Sequence, residues 1–208
     1  MPLISKLDSE EYSIALWKIE EDEQTLCSLI SNFDDYKEEL QNFKSSFRRR
    51  EWLAVRACLD SIYKGEKIVY KDSGKPYLLS GNYNISISHT GSYVSVIVSQ
   101  NRDVSIDIEK YGQRVEKVSS RFVRDDEEPT CFNGDKIWAL LLHWSAKESA
   151  YKMIDLQNID FKKHLLIYPF EVNETGEFLL KELKTEHQDT YLINYKLYND
   201  FVMTWTIK

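Results

Sequence analysis

Apolar and polar residues alternate in many short stretches of this chain, as they do in strands that place one face against a core. The alternation is strict at 104–109, where Val104, Ile106 and Ile108 face one way. Similar patterns with bounding turn residues predict further strands. These lie at 11–19, 67–71, 75–79, 84–88, 93–99, 165–170, 177–180, 191–197 and 201–207, with a turn at Thr175-Gly176.

Apolar residues recur instead at helical spacing in four longer stretches. The clearest is 43–63, which ends before Gly65, a residue that commonly terminates helices. The other predicted helices are 24–43, 115–123 and 136–154.

The two halves of the chain share an order of elements, which is a strand, then helices, then antiparallel strands. The change from one half to the other falls near 101–103. We therefore expect an α+β protein of two similar subdomains, 1–102 and 103–208, in a pseudo-twofold arrangement. Each should have a small antiparallel sheet packed on helices.

Composition excludes several classes of protein. The 208 residues are 42% hydrophobic and 13% aromatic, which is enough for a packed core and too apolar for a disordered chain. No apolar run is long enough to span a membrane, and the N-terminus lacks a signal pattern, so we expect a cytoplasmic protein. Three widely spaced cysteines predict buried free thiols.

Charge is unevenly distributed along the chain. The formal net charge is -7, which argues against a nucleic-acid partner. Residues 1–41 are strongly acidic, but residues 42–75 contain nine basic and four acidic residues. Such a basic segment in an acidic chain suggests a local anionic ligand.

Two segments place carboxylates where a cation could bind. Asp107 and Glu109 share one face of the strand 104–109, about 7 Å apart, and we expect that face to point to solvent. A divalent cation with oxygen ligands would relieve their repulsion. On the helix 136–154, Glu148 could add a third oxygen and Lys152 could neutralise a phosphate. The alternatives are a solvated acidic face and an ordinary surface ion pair.

Three further segments could contact an anion. Ser88 and His89 stand where a strand enters a turn, and Pro76 restrains the chain after Lys75. Arg49 and Arg56 lie seven residues apart along one predicted helix, and guanidinium groups suit phosphate oxygens. Ordinary surface charge and a turn histidine are the alternatives.

Taken in order, the basic helix, GKP, SISHT, IDIE and WSAKESAYK resemble the Sfp-type members of the 4′-phosphopantetheinyl transferase superfamily. The resemblance extends from about Arg48 to Lys152. It implies transfer of 4′-phosphopantetheine from coenzyme A to a serine of an apo acyl or peptidyl carrier protein. The reaction depends on Mg²⁺, with Mn²⁺ as a substitute, and releases 3′,5′-ADP.

The resemblance also implies roles for individual residues. Asp107, Glu109 and Glu148 match the metal ligands, while Lys152 matches a lysine near the pyrophosphate. Coenzyme A contacts are expected from the following residues: Arg49, Arg56, Lys75, Ser88, His89, Lys147 and Lys152. Glu148 and Glu127 are the two candidates for the base that accepts the serine proton.

One departure from the family pattern adjoins the metal ligands. Ser105 stands where the family usually has glycine, and we expect it near the site, where it could crowd or hydrogen-bond a ligand. The competing hypothesis is a non-catalytic module or partner subunit that binds coenzyme A or another nucleotide. In either case we expect a monomer with no nucleic-acid or membrane partner.

Overall fold

Strands and helices alternate along residues 3–208, the part of the chain that the computed structural model describes. The chain divides into a first unit that ends at Val104 and a second unit that begins at Ser105. The first unit contains, in order, β1 (Leu3–Asp8), β2 (Ser13–Lys18), α1 (Glu23–Leu29), a 3₁₀ turn (Phe33–Tyr36), α2 (Lys37–Leu40), α3 (Ser46–Asp60), β3 (Ile68–Tyr70), β4 (Pro76–Leu78), β5 (Asn84–Thr90) and β6 (Tyr93–Ser99).

The first unit is built on an antiparallel sheet of strand order β1-β2-β6-β5, with β3 and β4 paired separately. Helix α3 packs on β2 and β6 and also contacts α1. Ser45 caps α3 by accepting a hydrogen bond from the Arg48 amide, and Asp22 caps α1 in the same way. The core between helices and sheet includes Leu26, Leu53 and Val96.

The second unit contains β7 (Val104–Lys110), α4 (Arg114–Val118), a 3₁₀ turn (Ser119–Arg121), α5 (Ile137–Ile154), α6 (Phe161–His164), β8 (Leu165–Ile167), β9 (Thr175–Glu182), β10 (Thr190–Leu197) and β11 (Phe201–Ile207). Strand β7 begins at the boundary between the units. The sheet order is β7-β11-β10-β9-β8, and β8 to β11 pair antiparallel. Helix α5 packs mainly on β11, the neighbour of β7 in this sheet, and also contacts β10.

The structure differs from the sequence predictions at several elements. Strand β1 was not predicted, and the predicted helix 24–43 is interrupted because Ile30 adopts an extended conformation and packs into the core. Thr175 and Gly176 do not turn the chain but pair with Lys196 and Tyr195 inside β9. A Cβ on Gly176 would lie 2.7 Å from the Tyr195 hydroxyl, so glycine here permits close packing on that ring.

The predicted fold class is confirmed, since antiparallel sheets pack on helices in a mixed α/β chain. No helix within the described residues is long and apolar enough to cross a membrane. All three cysteines are free, as predicted, but only Cys58 is buried and Cys131 is exposed.

Candidate active site

Strand β7 carries two of the predicted metal ligands, Asp107 and Glu109. It is buried on both faces as far as Ile108, and Asp107 is only 4% exposed. The expectation that Asp107 faces solvent is therefore wrong, while Glu109 is half-buried. Burial of a carboxylate costs free energy unless the group is paired and hydrogen-bonded. The folded chain must therefore provide partners for the Asp107 carboxylate.

Helix α5 carries the groups that meet β7. Trp144, Glu148 and Lys152 recur at intervals of four residues and share one face of the helix. The Lys152 ammonium donates to Oδ1 of Asp107 at 2.8 Å and to the Ile106 carbonyl at 3.0 Å. One ion pair thus joins the strand to the helix and compensates the charge of Asp107.

The other two carboxylates interact electrostatically with this pair. Burial and the charge of Asp107 raise the pKa of Glu109 to about 7, although a hydrogen bond from Trp144 opposes the rise. Burial and the charge of Asp107 also raise the pKa of Glu148 to about 7, with a further contribution from Glu109. Three carboxylates therefore repel one another across β7 and α5.

This acidic group fits a hard divalent cation in its chemistry. Its donors are all carboxylate oxygens, which Mg²⁺ prefers, and a cation would relieve the repulsion that, after burial, contributes to the two raised pKa values. Within residues 3–208, no three His, Cys, Asp or Glu side chains are already grouped as a ligand set. Asp107, Glu109 and Glu148 are the residues that would hold the ion, and binding would have to draw them together.

Ser105 does not face a ligand, contrary to the sequence expectation. It is fully buried, and its hydroxyl donates to the Ser149 carbonyl at 2.7 Å. The Ser149 hydroxyl in turn lies 2.8 Å from that of Thr204, which also contacts the Ser145 hydroxyl at 2.9 Å. These buried hydroxyls connect β7, α5 and β11 beside the acidic group.

Lys147 and Glu127 form a separate buried pair. Both side chains are completely inaccessible, and the Lys147 ammonium donates to the Glu127 carboxylate at 2.9 Å. Glu127 also accepts from the amides of Ile167 and Arg124, and Lys147 also donates to the Phe122 carbonyl. Burial lowers the pKa of Lys147 to about 8. The structure thus pairs Lys147 with Glu127. The contact of Lys147 with coenzyme A and the role of Glu127 as the base for the serine proton stay predictions.

In the first unit, His89 lies beside the ion pair of Glu51 and Arg48. Its Nδ1 atom lies 3.4 Å from one oxygen of Glu51, and Arg48 donates to the other oxygen at 2.6 Å. The Glu51 side chain is nearly buried, whereas those of His89 and Arg48 are exposed. His89 is therefore accessible, as a ligand-binding histidine must be.

The two predicted arginines of α3 are placed differently from each other. Arg49 is half-buried and donates to Glu23 of α1 at 2.7 Å. Arg56 is only 2% exposed, and its guanidinium lies over the Trp52 ring at 3.3 Å and faces the Tyr36 ring at 5.0 Å. A phosphate could reach Arg56 only if these rings moved, so its role in anion binding stays a prediction.

Ser88 and Lys75 also belong to the first unit. Ser88 is buried in β5, opposite Ser95 of β6, and its carbonyl accepts a hydrogen bond from the Ser95 hydroxyl at 3.5 Å. Lys75 is half-buried just before β4, and its carbonyl accepts from the Lys71 amide at 3.0 Å. Their contacts with coenzyme A stay predictions.

Among the residues that contact predicted site residues, sequence reasoning assigned no role to Trp144 or Glu51. The Trp144 indole donates to Glu109 at 2.7 Å, and Glu51 contacts His89. The position of Trp144 four residues before Glu148 was a usable signal, because both side chains had to face the same way. Nothing in the sequence connected Glu51 to His89, which lies 38 positions further along the chain.

The second unit, which contains the acidic group, is similar in sequence to a known superfamily. A model of the 4′-phosphopantetheinyl transferase superfamily matches residues 103–206, which is half of the chain and extends from β7 to β11. The chain therefore belongs to this superfamily, as the resemblance predicted. No curated protein matches the chain.

Proposed function

We propose that this protein transfers 4′-phosphopantetheine from coenzyme A to a serine of an apo carrier protein in a Mg²⁺-dependent reaction. One observation carries the proposal: β7 and α5 bring Asp107, Glu109 and Glu148 into electrostatic contact, with Lys152 bound to Asp107. Along the chain, these groups are up to 45 positions apart. All of these groups lie inside the segment that matches the superfamily, which supports the proposal.

A hard divalent cation bound here would offset the charge that develops on the pyrophosphate of coenzyme A. Asp107, Glu109 and Glu148 would hold it through carboxylate oxygens. Lys152 contributes a fixed positive charge on the same face of α5, where it can neutralise the leaving phosphate. Its bonds to the Ile106 carbonyl and Asp107 hold the ammonium in place before the substrate arrives.

In the proposed reaction, the carrier serine oxygen forms a bond to the phosphorus that bears pantetheine. The bond from that phosphorus to the departing 3′,5′-ADP breaks, and the serine proton passes to a base. We assign the base to Glu148 rather than Glu127. Glu148 is half-buried, whereas Glu127 is inaccessible and already accepts from Lys147 and two backbone amides.

For the first unit, we propose contacts with the phosphates of coenzyme A through Arg49, Lys75, Ser88 and His89. The accessible imidazole of His89 and the partly exposed side chain of Arg49 support this. The buried ring contacts of Arg56 favour a supporting role on α3 instead. Cytoplasmic location and a monomeric state stay predictions.

The direct test combines the purified chain, coenzyme A, Mg²⁺ and several apo carrier proteins, with mass spectrometry of the carriers. We expect at least one carrier to become heavier by one phosphopantetheine, and the product to disappear with EDTA. Unmodified carriers in a mixture where a known transferase modifies them would contradict the proposal.

Glu148→Gln provides the matched variant for this test. It removes a carboxylate without changing side-chain size, so transfer should fall by at least about 100-fold, in the range typical for loss of a general base. Glu177→Gln removes an exposed carboxylate of β9 and should leave transfer unchanged. Equal rates for the wild type and Glu148→Gln would refute the assignment of the base.

A further inference from the structure

Trp144 makes a direct contact with one of the proposed metal ligands. Its indole N–H donates to Oε1 of Glu109 at 2.7 Å, across the space between α5 and β7. Hydrogen bonds to an ionised acceptor are shorter and stronger than neutral ones. The bond favours the ionised form of Glu109 and restricts the orientation of its carboxylate.

Two aromatic rings hold the indole in this position. The Phe122 ring lies 5.2 Å from that of Trp144 in an edge-on arrangement, and the Phe161 ring lies 5.4 Å away on a tilted plane. Such contacts contribute beyond the area they bury and restrict the side-chain rotamer. The indole therefore points its N–H at Glu109 with little freedom to turn.

Lys147, which is paired with Glu127, contacts the backbone of both Phe122 and Phe161. The Lys147 ammonium donates to the Phe122 carbonyl at 2.6 Å and reaches the Phe161 carbonyl at 3.4 Å. Lys147 thus fixes the backbone at both aromatic residues. A continuous set of contacts extends from this pair through the rings and the indole to Glu109.

We propose that Trp144 is a positioning residue for cation binding, and that it acts through Glu109. The indole engages one oxygen of Glu109, so the other oxygen can bind a cation without breaking the hydrogen bond. The inference rests on the proposed function, because it assumes that the acidic group binds a divalent cation. Groups that orient a metal ligand from behind typically change metal affinity by about 10- to 100-fold when removed.

A merely structural role makes a different prediction. A half-buried indole N–H needs an acceptor, and Glu109 could serve only that need. Loss of the N–H would then alter stability but not the affinity for a cation. Metal affinity, measured without coenzyme A or carrier, separates the two roles.

The experiment titrates the full chain with Mn²⁺ and follows free ion by electron paramagnetic resonance. Trp144→Phe keeps an aromatic ring between Phe122 and Phe161 but removes the N–H. We expect its Mn²⁺ dissociation constant to rise by about 10- to 100-fold. Trp138→Phe is the matched control, because Trp138 is half-buried on the same helix and packs on Tyr111 instead, 4.7 Å away. Its dissociation constant should equal that of the wild type.

A second measurement does not depend on the folding of Trp144→Phe. The indole N–H signals of the ¹⁵N-labelled wild type are assigned by replacing the other four tryptophans one at a time, which leaves Trp144 by elimination. Addition of Mg²⁺ should shift the Trp144 signal, because the ion draws charge from the Glu109 carboxylate, which accepts the hydrogen bond from the indole. The Trp138 signal should not move.

The outcomes distinguish this inference from the proposed function. Equal Mn²⁺ affinity in the wild type and Trp144→Phe, or Mg²⁺ binding that leaves the Trp144 signal unmoved, overturns the positioning role while the proposed function stands. A wild-type chain that binds neither ion refutes the cation site itself. It removes the basis of both proposals.

Discussion

Asp107 is a proposed metal ligand that also belongs to a buried ion pair. Its carboxylate is almost inaccessible and bonds to the Lys152 ammonium at 2.8 Å. Removal of one partner from a buried ion pair leaves an uncompensated charge, which costs more than the pair contributes. The residue is therefore poorly suited to a substitution intended to affect catalysis alone.

We expect Asp107→Ala to abolish transfer and also to lower the free energy of unfolding by about 1–3 kcal/mol, because Lys152 loses its carboxylate and a small cavity opens. Urea unfolding measures the loss. Asp107→Asn is the control, since it keeps the volume and one oxygen acceptor and should lose less stability. Unchanged stability of Asp107→Ala would contradict the buried position of the carboxylate.

At the scale of elements, helix α5 connects several parts of the second unit. Buried residues lie around most of its circumference, as expected for a helix enclosed by other elements. The face with Glu148 and Lys152 meets β7, and Lys147 bonds to Phe122 and Glu127 elsewhere. Ser145 and Ser149 reach Thr204 of β11. One helix thereby joins the acidic group, the buried ion pair and the sheet.

The buried pair predicts a non-additive pattern of stability. Lys147→Met and Glu127→Gln should each destabilise the chain by about 3–5 kcal/mol, because each leaves the partner group buried without its counterpart. The double variant should be less destabilised than the sum of the two single variants, because no charge then remains unpaired. Chemical denaturation of all four chains measures the coupling, and additive losses would show that the pair does not interact.

At the scale of the whole molecule, the basic segment 42–75 folds against the acidic segment 1–41. Arg49 pairs with Glu23, and both Arg56 and Lys67 approach Glu39, at 4.0 and 3.9 Å. Part of the local positive charge is therefore neutralised within the first unit. The exposed basic side chains of this segment, which include Lys44, Lys64 and Lys71, are what an anionic ligand would encounter.

The contribution of His143 in α5 to stability should decrease in acid. Burial lowers the pKa of His143 to about 4, below its ordinary value of 6.5. The folded chain therefore binds fewer protons at this residue than the unfolded chain between these two pH values. The contribution to stability is complete above pH 6.5 and is lost as the pH falls toward 4, by about 3 kcal/mol in total.

His143→Gln removes this titrating group and serves to isolate its effect. The raised pKa values of Glu109 and Glu148 act in the opposite direction, since their contribution is present at low pH and is lost as the pH rises through about 7. The difference between the wild type and His143→Gln cancels those carboxylates. It should change by about 3 kcal/mol between pH 7 and pH 4 in urea unfolding, and a constant difference would contradict the assignment.

The elements themselves could be predicted largely from the sequence. Residue patterns typical of strands predicted β6 and β11 at their observed bounds, and helical spacing predicted α3 and α5 to within a few residues. These are local patterns, since the period of apolar residues reflects the geometry of a single strand or helix. The edge strand β1 was missed because an edge strand exposed on most of its length carries little apolar periodicity.

The chain by itself determined the types of residue in the candidate site and the superfamily, because motifs such as IDIE and WSAKES are continuous in sequence. Only the tertiary structure decided which of those residues meet. It paired Lys152 with Asp107, turned Ser105 toward Ser149, enclosed Arg56 between aromatic rings and placed Trp144 on Glu109. The physical reason is that burial and pairing depend on elements far apart in sequence, whereas periodicity records only the face on which each side chain lies.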